Sequence, residues 1–498
     1  MNDIENENIN EENDINQLKQ IRLNKLKELQ EKNKDPYKIV KYDIDTKAKE
    51  ITDNFENFEN KEVKIAGRLM SRRHMGKASF SDILDETGTI QIYLKQNDIL
   101  EQYDEFKKMD IGDIVGIIGT VFKTKKEEIS IKVTEIKLLT KSLNPLPEKF
   151  HGLKDIDLRY RKRYVDLIVN TDVRKTFVDR SKIIKNIRNF LDTKGFMEVE
   201  TPVLQTVYGG ANAEPFTTYH NSLDMGMYLR ISLETYLKRL VVGGFEKIYE
   251  IGRVFRNEGI STRHNPEFTM LELYWAYVDY KSIMILTEEL IRDVLINITG
   301  KLQLEYDGHL LDFEKPFLRA SMIDLVKEYT NIDFENIKDL EEARNISKNH
   351  GIHFENHYKI GDILNKFFEE KVEKNLIQPT FVIDHPIEIS PLAKRKDGNE
   401  NLTERFELFI VGREYANAFS ELNDPIDQKE RFISQEVLKE KGDKEAMPLD
   451  EDFIEALSYG MPPTGGLGVG IDRLIMLVTN QPSIRDVLLF PTMKPYNE

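Results

Sequence analysis

Between residues 61 and 140 apolar and polar positions alternate in short runs: Val63–Arg68, Ala78–Asp82, Ile90–Leu94, Ile114–Phe122 and Ile129–Val133. A period of two is the mark of a half-buried strand. Turn signals at Glu86–Gly88 and Thr124–Lys126 divide the runs, and Ile99–Lys108 reads as helix. Five short strands around one helical stretch predict a small barrel. Upstream, Ile15, Leu18, Leu26 and Leu29 fall near one helical stripe as far as Lys32, beside Lys19, Arg22, Lys25 and Lys27. That pattern suits either a solvated amphipathic helix or one lying against phosphates. Residues 1 to 16 are acidic, Asn-rich and of low complexity, so disorder is expected there.

The prolines of Asn144–Pro147 mark a stiff linker. A helix is predicted over Ser181–Lys194, stopped by Gly195, and MEVETP follows as a strand ended by Pro202. Further strands are read at Tyr228–Ile231, Lys247–Val254, Thr269–Ala276, Phe381–Ile383, Phe406–Gly412 and Ala416–Glu421. A helical stretch, about 306–376, looks inserted, and Gly465–Gly470 opens a helix over Ile471–Val478. The fold class is therefore α+β, an N-terminal barrel followed by an antiparallel sheet flanked by helices. The expected divisions are a tail and basic helix (1–60), a barrel (61–142), a linker or hinge (143–180) and a large C-terminal domain (181–498).

Composition narrows the function classes. The 498 residues include no cysteine, which removes disulfides, thiolate metal sites and cysteine nucleophiles. Lys and Arg number 71 against 87 Asp and Glu, a net charge of −16, which argues against indiscriminate nucleic-acid binding. The barrel segment is the exception, with 14 basic and 13 acidic residues. There Arg68, Arg72, Arg73, His74 and Lys77 gather around Phe80, a combination suited to stacking and neutralising single-stranded nucleic acid. The acidic start is unlike a targeting peptide, and no apolar run reaches membrane-spanning length. A cytoplasmic protein without a membrane partner is expected.

Three segments carry candidate chemistry. In FRNEGISTRHNPEFTMLE (255–272), Arg256 and Glu258 are placed on one face of a strand at the base of a hairpin, where Arg256 could fork onto a phosphate or carboxylate. In GGLGVGIDRL (465–474), glycines before a helix and Arg473 in its first turn could hold an anion, although the spacing matches neither a Walker loop nor a dinucleotide fingerprint. In RFELFIVGREYANAFSEL (405–422), Glu407, Glu414 and Glu421 recur every seven residues on apolar strands, where carboxylates need a metal or a cation. Oxygen ligands beside phosphates suit Mg²⁺. His350, His353 and His357 lack the HExxH arrangement and are set aside as a zinc site.

Taken together these segments resemble the class II lysyl-tRNA synthetases of the bacterial type, over about Asn16 to Pro495. GFMEVETP (195–202) is similar to motif 1, FRNEGISTRHNPEFTMLELYWAYVDY (255–280) to motif 2 and GLGVGIDRLIML (466–477) to motif 3. The barrel with KASF (77–80) resembles the family's OB-fold anticodon-binding domain. The resemblance implies ATP-dependent activation of L-lysine to lysyl-adenylate and transfer to the 3′ end of tRNA(Lys) by a homodimer. It assigns ATP to Arg256, Glu258, His264, Asn265, Phe268, Glu407 and Arg473, with Arg256 and Arg473 catalytic. It assigns the α-amino group of lysine to Gly210 and Glu234, the carboxylate to Arg256 and Asn417, and the ε-ammonium to Tyr274 and Glu421, with Glu272 and Phe419 beside them. Glu407 and Glu414 would hold Mg²⁺, up to three ions per subunit, and Arg68, Arg73, Phe80, Gln91 and Glu128 would read the anticodon. Ser232–Leu233 stands where the family usually has Ala-Pro, Glu214 where Arg is common, and Val254 where Asn or Lys is usual.

Rival readings are separable. An aspartyl or asparaginyl enzyme would need a cation for its substrate's side chain, whereas this pocket offers Glu234, Glu272 and Glu421. A protein-modifying lysine ligase would lack the barrel. A catalytically idle RNA-binding protein would not need Arg256, Glu407, Glu414 and Arg473 together.

Overall fold

The computed structural model describes residues 2–147, 153, 155–443 and 445–495. It divides into two compact units, Met1–Lys154 and Asp155–Glu498.

In the first unit five strands, Glu62–Leu69, Ala78–Leu84, Thr89–Lys95, Ile114–Lys123 and Ile129–Thr140, close into a barrel. Closure comes where Arg68 and Leu69 pair with Leu84 and Ile83. The alternation read from the sequence puts Val63, Ile65, Ile92, Val115 and Ile131 inside. A short strand, Arg73–Met75, extends one edge and was not foreseen. The N-terminal helix covers Asn2–Glu31 and so takes in nearly all of the stretch expected to be disordered, Met1 lying outside the described residues. Arg22 donates to the carbonyls of Ser142 and Asn144, and Lys25 pairs with Asp110, which fastens the helix to the barrel.

The second unit is built on an eight-stranded sheet. Its spatial order is Leu318–Ser321, Thr380–Ile383, Arg405–Phe409, Glu414–Ser420, Thr464–Gly470, Glu267–Ala276, Lys247–Phe255 and Met197–Glu198. Pairing is antiparallel except at the two outermost contacts. One face buries Tyr249, Leu271, Leu273, Leu408, Ala416, Ala418, Leu467 and Val469 against the helices Thr171–Thr193, Tyr280–Thr299 and Ile471–Val478. Alternation sends the intervening residues of the same strands to the opposite face, where the site lies.

Three expectations are corrected here. The segment expected as a hinge to residue 180 is helical from Ile156, and the long helix begins at Thr171 rather than Ser181. Buried Arg163 anchors it, donating to Asp166 and to the carbonyls of Arg485, Leu488 and Leu489. Residues 148–152 and 154 of that segment lie outside the described residues. The stretch 306–376 is not purely helical: Leu318–Ser321 joins the sheet as an edge strand, while the helices Met322–Thr330, Leu340–His350 and Ile360–Phe367 share a separate core around Phe334 and Phe367. Finally, the glycines of 465–470, expected only to open the helix, form a strand that runs directly into the helix Ile471–Val478.

Candidate active site

Strand alternation builds the cavity. From the strand Glu267–Ala276 come Phe268, Met270, Glu272 and Tyr274; from Arg405–Phe409, Arg405 and Glu407; from Glu414–Ser420 and the residue beyond, Asn417, Phe419 and Glu421. Between them runs Thr464–Gly470, whose Leu467 and Val469 point into the core while Gly466 and Gly468 face the site. Gly466 pairs with both Tyr274 and Phe419, and Gly468 with both Glu272 and Asn417. The glycines are thus a floor without side chains, which leaves a cavity of about 510 Å³. Gly210 lies at φ +84°, and a Cβ there would stand 2.7 Å from Ser232 Oγ and 2.9 Å from Glu234 Cβ. Only glycine brings the backbone this close to Glu234.

At one end of the cavity three carboxylates are buried: Glu234, Glu272 and Glu421. Glu272 Oε1 accepts from Ser232 Oγ and from the Leu233 N–H, both at 2.9 Å, and its Oε2 accepts from Tyr274 Oη at 3.2 Å. Burial, and then the charge of Glu234, push its carboxyl up to about 7 against those three donors. The Leu233 N–H is available because this chain has leucine, not proline, at that position. Glu421 is held by its own N–H donating to the Thr464 carbonyl. Its Oε1 has no hydrogen-bond donor among the described residues. Its Oε2 forms an ion pair with Lys238, which also pairs with Glu234. Burial drives the Glu421 carboxyl well above its ordinary range, with Lys238 opposing.

Toward the other end lie the cations. Arg256 follows the last residue of its strand, so Arg256 and Glu258 belong to the loop and do not share a strand face as expected. The Arg256 guanidinium sits 5.2 Å from the centre of the Phe268 ring, and its Nε donates to the Ile231 carbonyl. His264 is shaped by a turn in which Ser261 Oγ accepts its N–H and lies 3.1 Å from Nδ1. Burial, and then the charge of Arg473, hold its imidazole below the usual value. Asn265 is buried and its amide is engaged by the fold, donating to the Glu267 carbonyl and accepting from the Thr492 N–H. Arg473 Nη1 donates to the Glu414 carbonyl at 2.7 Å and lies 3.3 Å from its carboxylate. Arg405 Nη2 donates to Glu407 at 2.7 Å, and its Nε to Asn417 Oδ1 at 3.1 Å.

All the residues expected for ATP, lysine and metal line this one cavity. Sequence reasoning missed Ser232, Lys238 and Arg405. Lys238 was detectable as a cation four residues after Glu234 on a helix, and Arg405 as one two residues before Glu407 on a strand. Among the described residues no group of three or more His, Cys, Asp or Glu is gathered to hold a metal.

The barrel presents a separate surface. Arg73 pairs with Phe80 across the strands, and Phe80 with Tyr93. The Phe80 and Tyr93 rings are 4.9 Å apart, and Phe122 follows at 6.1 Å from Tyr93. These half-buried rings form a continuous aromatic strip, of which the sequence reading named only Phe80. Ser130 Oγ donates to Gln91 at 3.0 Å and approaches the Glu128 carbonyl at 3.3 Å, so both border one edge. Arg68 donates to the Gly112 carbonyl at 2.7 Å, and Arg73 lies 3.7 Å from Asp82.

Comparison with known proteins agrees with this geometry. A family model described as tRNA synthetases class II (D, K and N) matches residues 155–494, and an OB-fold nucleic acid binding domain matches 63–139. The lysine–tRNA ligase of Clostridium tetani is 58% identical over 98% of this chain and 98% of its own. Those of Carboxydothermus hydrogenoformans and Thermoanaerobacter pseudethanolicus are 57% and 56% identical, covering 97% and 99% of this chain and 99% of each relative. With a glycine-floored cavity holding cations at one end and carboxylates at the other in one unit, and an OB-fold barrel as the other, the chain belongs to the class II lysine–tRNA ligases.

Proposed function

We propose that the carboxylate end of the cavity receives the ammonium groups of lysine and that the arginine end receives the phosphates of ATP. The observation that carries this reading is Glu421 Oε1, a buried acceptor without a donor that lines the cavity beside Tyr274. Leaving such an atom unpaired is costly, and an ε-ammonium supplies both charge and proton. The enzyme activates lysine with ATP and esterifies tRNA for translation.

The first step is an in-line displacement in which the lysine carboxylate bonds to the α-phosphorus and pyrophosphate leaves. The nucleophile is already ionised, so no general base is required. Arg256 and Asn417 orient the carboxylate, with Arg405 fixing Asn417 by its 3.1 Å bond. Arg473 neutralises charge on the departing phosphates once it releases Glu414. Catalysis is then alignment and preorganised charge. Two hard carboxylates on one wall fit Mg²⁺ carried in with the nucleotide: Glu407 and Glu414 would hold it, and the ion would neutralise phosphate charge. In the second step the 3′-hydroxyl of tRNA(Lys) attacks the activated carbonyl and AMP leaves. The strip of Phe80, Tyr93 and Phe122 stacks anticodon bases, with Arg68, Arg73, Gln91 and Glu128 around it.

We also assign a homodimer through motif 1 and the residues flanking it, where Val178 on the helix, Met197 on the strand, and Val203 and Leu204 just beyond it are exposed. A light-scattering mass of one chain would refute it. No helix of the described residues is long and apolar enough to cross a membrane, and the cytoplasm is the compartment proposed.

The decisive experiment is ATP–pyrophosphate exchange with lysine and with norleucine, which lacks the amine. Glu421→Gln keeps the shape and removes the charge, so it should cost about 2–5 kcal/mol in kcat/KM for lysine and much less for norleucine. A variant that still separates the two as well as wild type would show that Glu421 does not face the side chain.

A further inference from the structure

The carboxylate end of the cavity contains a cation that no substrate brings. Lys238 is fully buried on the helix Glu234–Val242, one turn beyond Glu234. Its ammonium is ion-paired with both Glu234 and Glu421. The rings of Phe419 and Phe453 have their centres 5.5 and 5.9 Å away and close off the remaining approach. Both carboxylate partners line the cavity, whereas Lys238 lies behind them.

Buried carboxylates that lack a cation take a proton instead of keeping their charge. Glu234, Glu272 and Glu421 are all pushed toward that neutral form by burial, and Lys238 opposes it at Glu234 and Glu421. Charge arithmetic then becomes specific. Three ionised carboxylates with one built-in ammonium leave two negative charges uncompensated. Lysine brings two ammonium groups, while its carboxylate is taken by Arg256 and Asn417. An amino acid with a neutral side chain would leave one carboxylate charge stranded, and one with an acidic side chain would leave two.

We propose that Lys238 is a specificity-determining residue: a built-in counter-ion behind the pocket wall that keeps Glu234 and Glu421 ionised and sets the open charge of the site to that of a diammonium amino acid. This rests on the lysine reading of the cavity. Lys238 touches no reacting atom and acts through the two glutamates.

The test is ATP–pyrophosphate exchange by the full chain with lysine and norleucine, for wild type, Lys238→Met and Lys238→Gln. Met keeps the unbranched apolar stem and lacks only the terminal ammonium, and Gln keeps donors without charge. Both variants should raise the lysine KM by about tenfold or more while the ATP KM moves by less than about twofold. The ratio of kcat/KM for lysine over norleucine should fall by about tenfold or more. A purely structural ion pair would instead lower the melting temperature and the active fraction and leave the lysine KM and the ratio near wild type, which would overturn the proposal. Should the Met variant fail to fold, the Gln variant decides: a ratio within about twofold of wild type overturns it. Wild-type protein that exchanged with another amino acid in place of lysine would overturn the lysine reading and this proposal with it. Lysine-selective wild type with equally selective variants would overturn the role of Lys238 alone.

Discussion

The carboxylate of Glu421 lies directly over the backbone of Gly466, so that a Cβ built on Gly466 would clash with Glu421 Oε1 and stand 2.8 Å from Tyr274 Cε1. The glycine is there to make room for the acid. Gly466→Ala should therefore displace Glu421 and Tyr274 together. We expect a stability loss of about 1–3 kcal/mol from overpacking, with a raised lysine KM and little change in the ATP KM. Thermal melting and pyrophosphate exchange measure the two effects. A lysine KM unchanged in the variant would mean that the floor can shift without moving the acid.

Lysine use should depend on pH through Glu272. Its carboxyl is pushed up to about 7 by burial first and by Glu234 second, and the ionised form is the one that attracts an ammonium. Below that pH it is protonated, so kcat/KM for lysine should rise as pH rises through about 7. Ser232 Oγ donates to Glu272 and favours the charged form. Ser232→Ala removes that bond, pushes the carboxyl further up and should move the rise to higher pH by about one unit. Coincident profiles for the two proteins would exclude this role.

Anticodon recognition should survive separation from the chemistry. Phe80→Ala and Tyr93→Ala each remove one ring of the strip, at a cost of about 1–3 kcal/mol in tRNA binding. Charging should fall accordingly, while pyrophosphate exchange with ATP and lysine stays near wild type. Exchange that collapsed in step with charging would place the barrel in the activation step.

Glu414 has two partners to choose between, Arg473 at 3.3 Å and the magnesium expected with the nucleotide. Glu414→Gln should raise the Mg²⁺ concentration needed for half-maximal exchange and lower its maximal rate, with lysine binding in the absence of ATP unaffected. Titration of Mg²⁺ against exchange measures the first effect and calorimetry the last. Activity indifferent to a chelator in the wild type would sink the metal assignment.

Local sequence determined much of this protein. Alternation in Val63–Arg68 or Thr269–Ala276 requires only a strand with one buried face, so barrel and sheet strands were legible from period alone. Residue chemistry likewise marked Arg256, Glu407, Glu421 and Arg473, since charges beside apolar strands need a purpose. What sequence could not decide is which residues share a face across distant strands. The glycines of 465–470 suggested an anion at a helix start although their spacing matched no phosphate loop; only pairing with Tyr274 and Phe419 makes them a floor. Tyr93 and Phe122 joined Phe80 through register alone. Lys238 stands four residues after Glu234 on one helix but 183 residues before Glu421, so its burial between the two carboxylates is a tertiary fact. Sequence fixes the charges and the periods, but the distances between charges, and hence which carboxylate keeps its proton, depend on packing that no local pattern encodes.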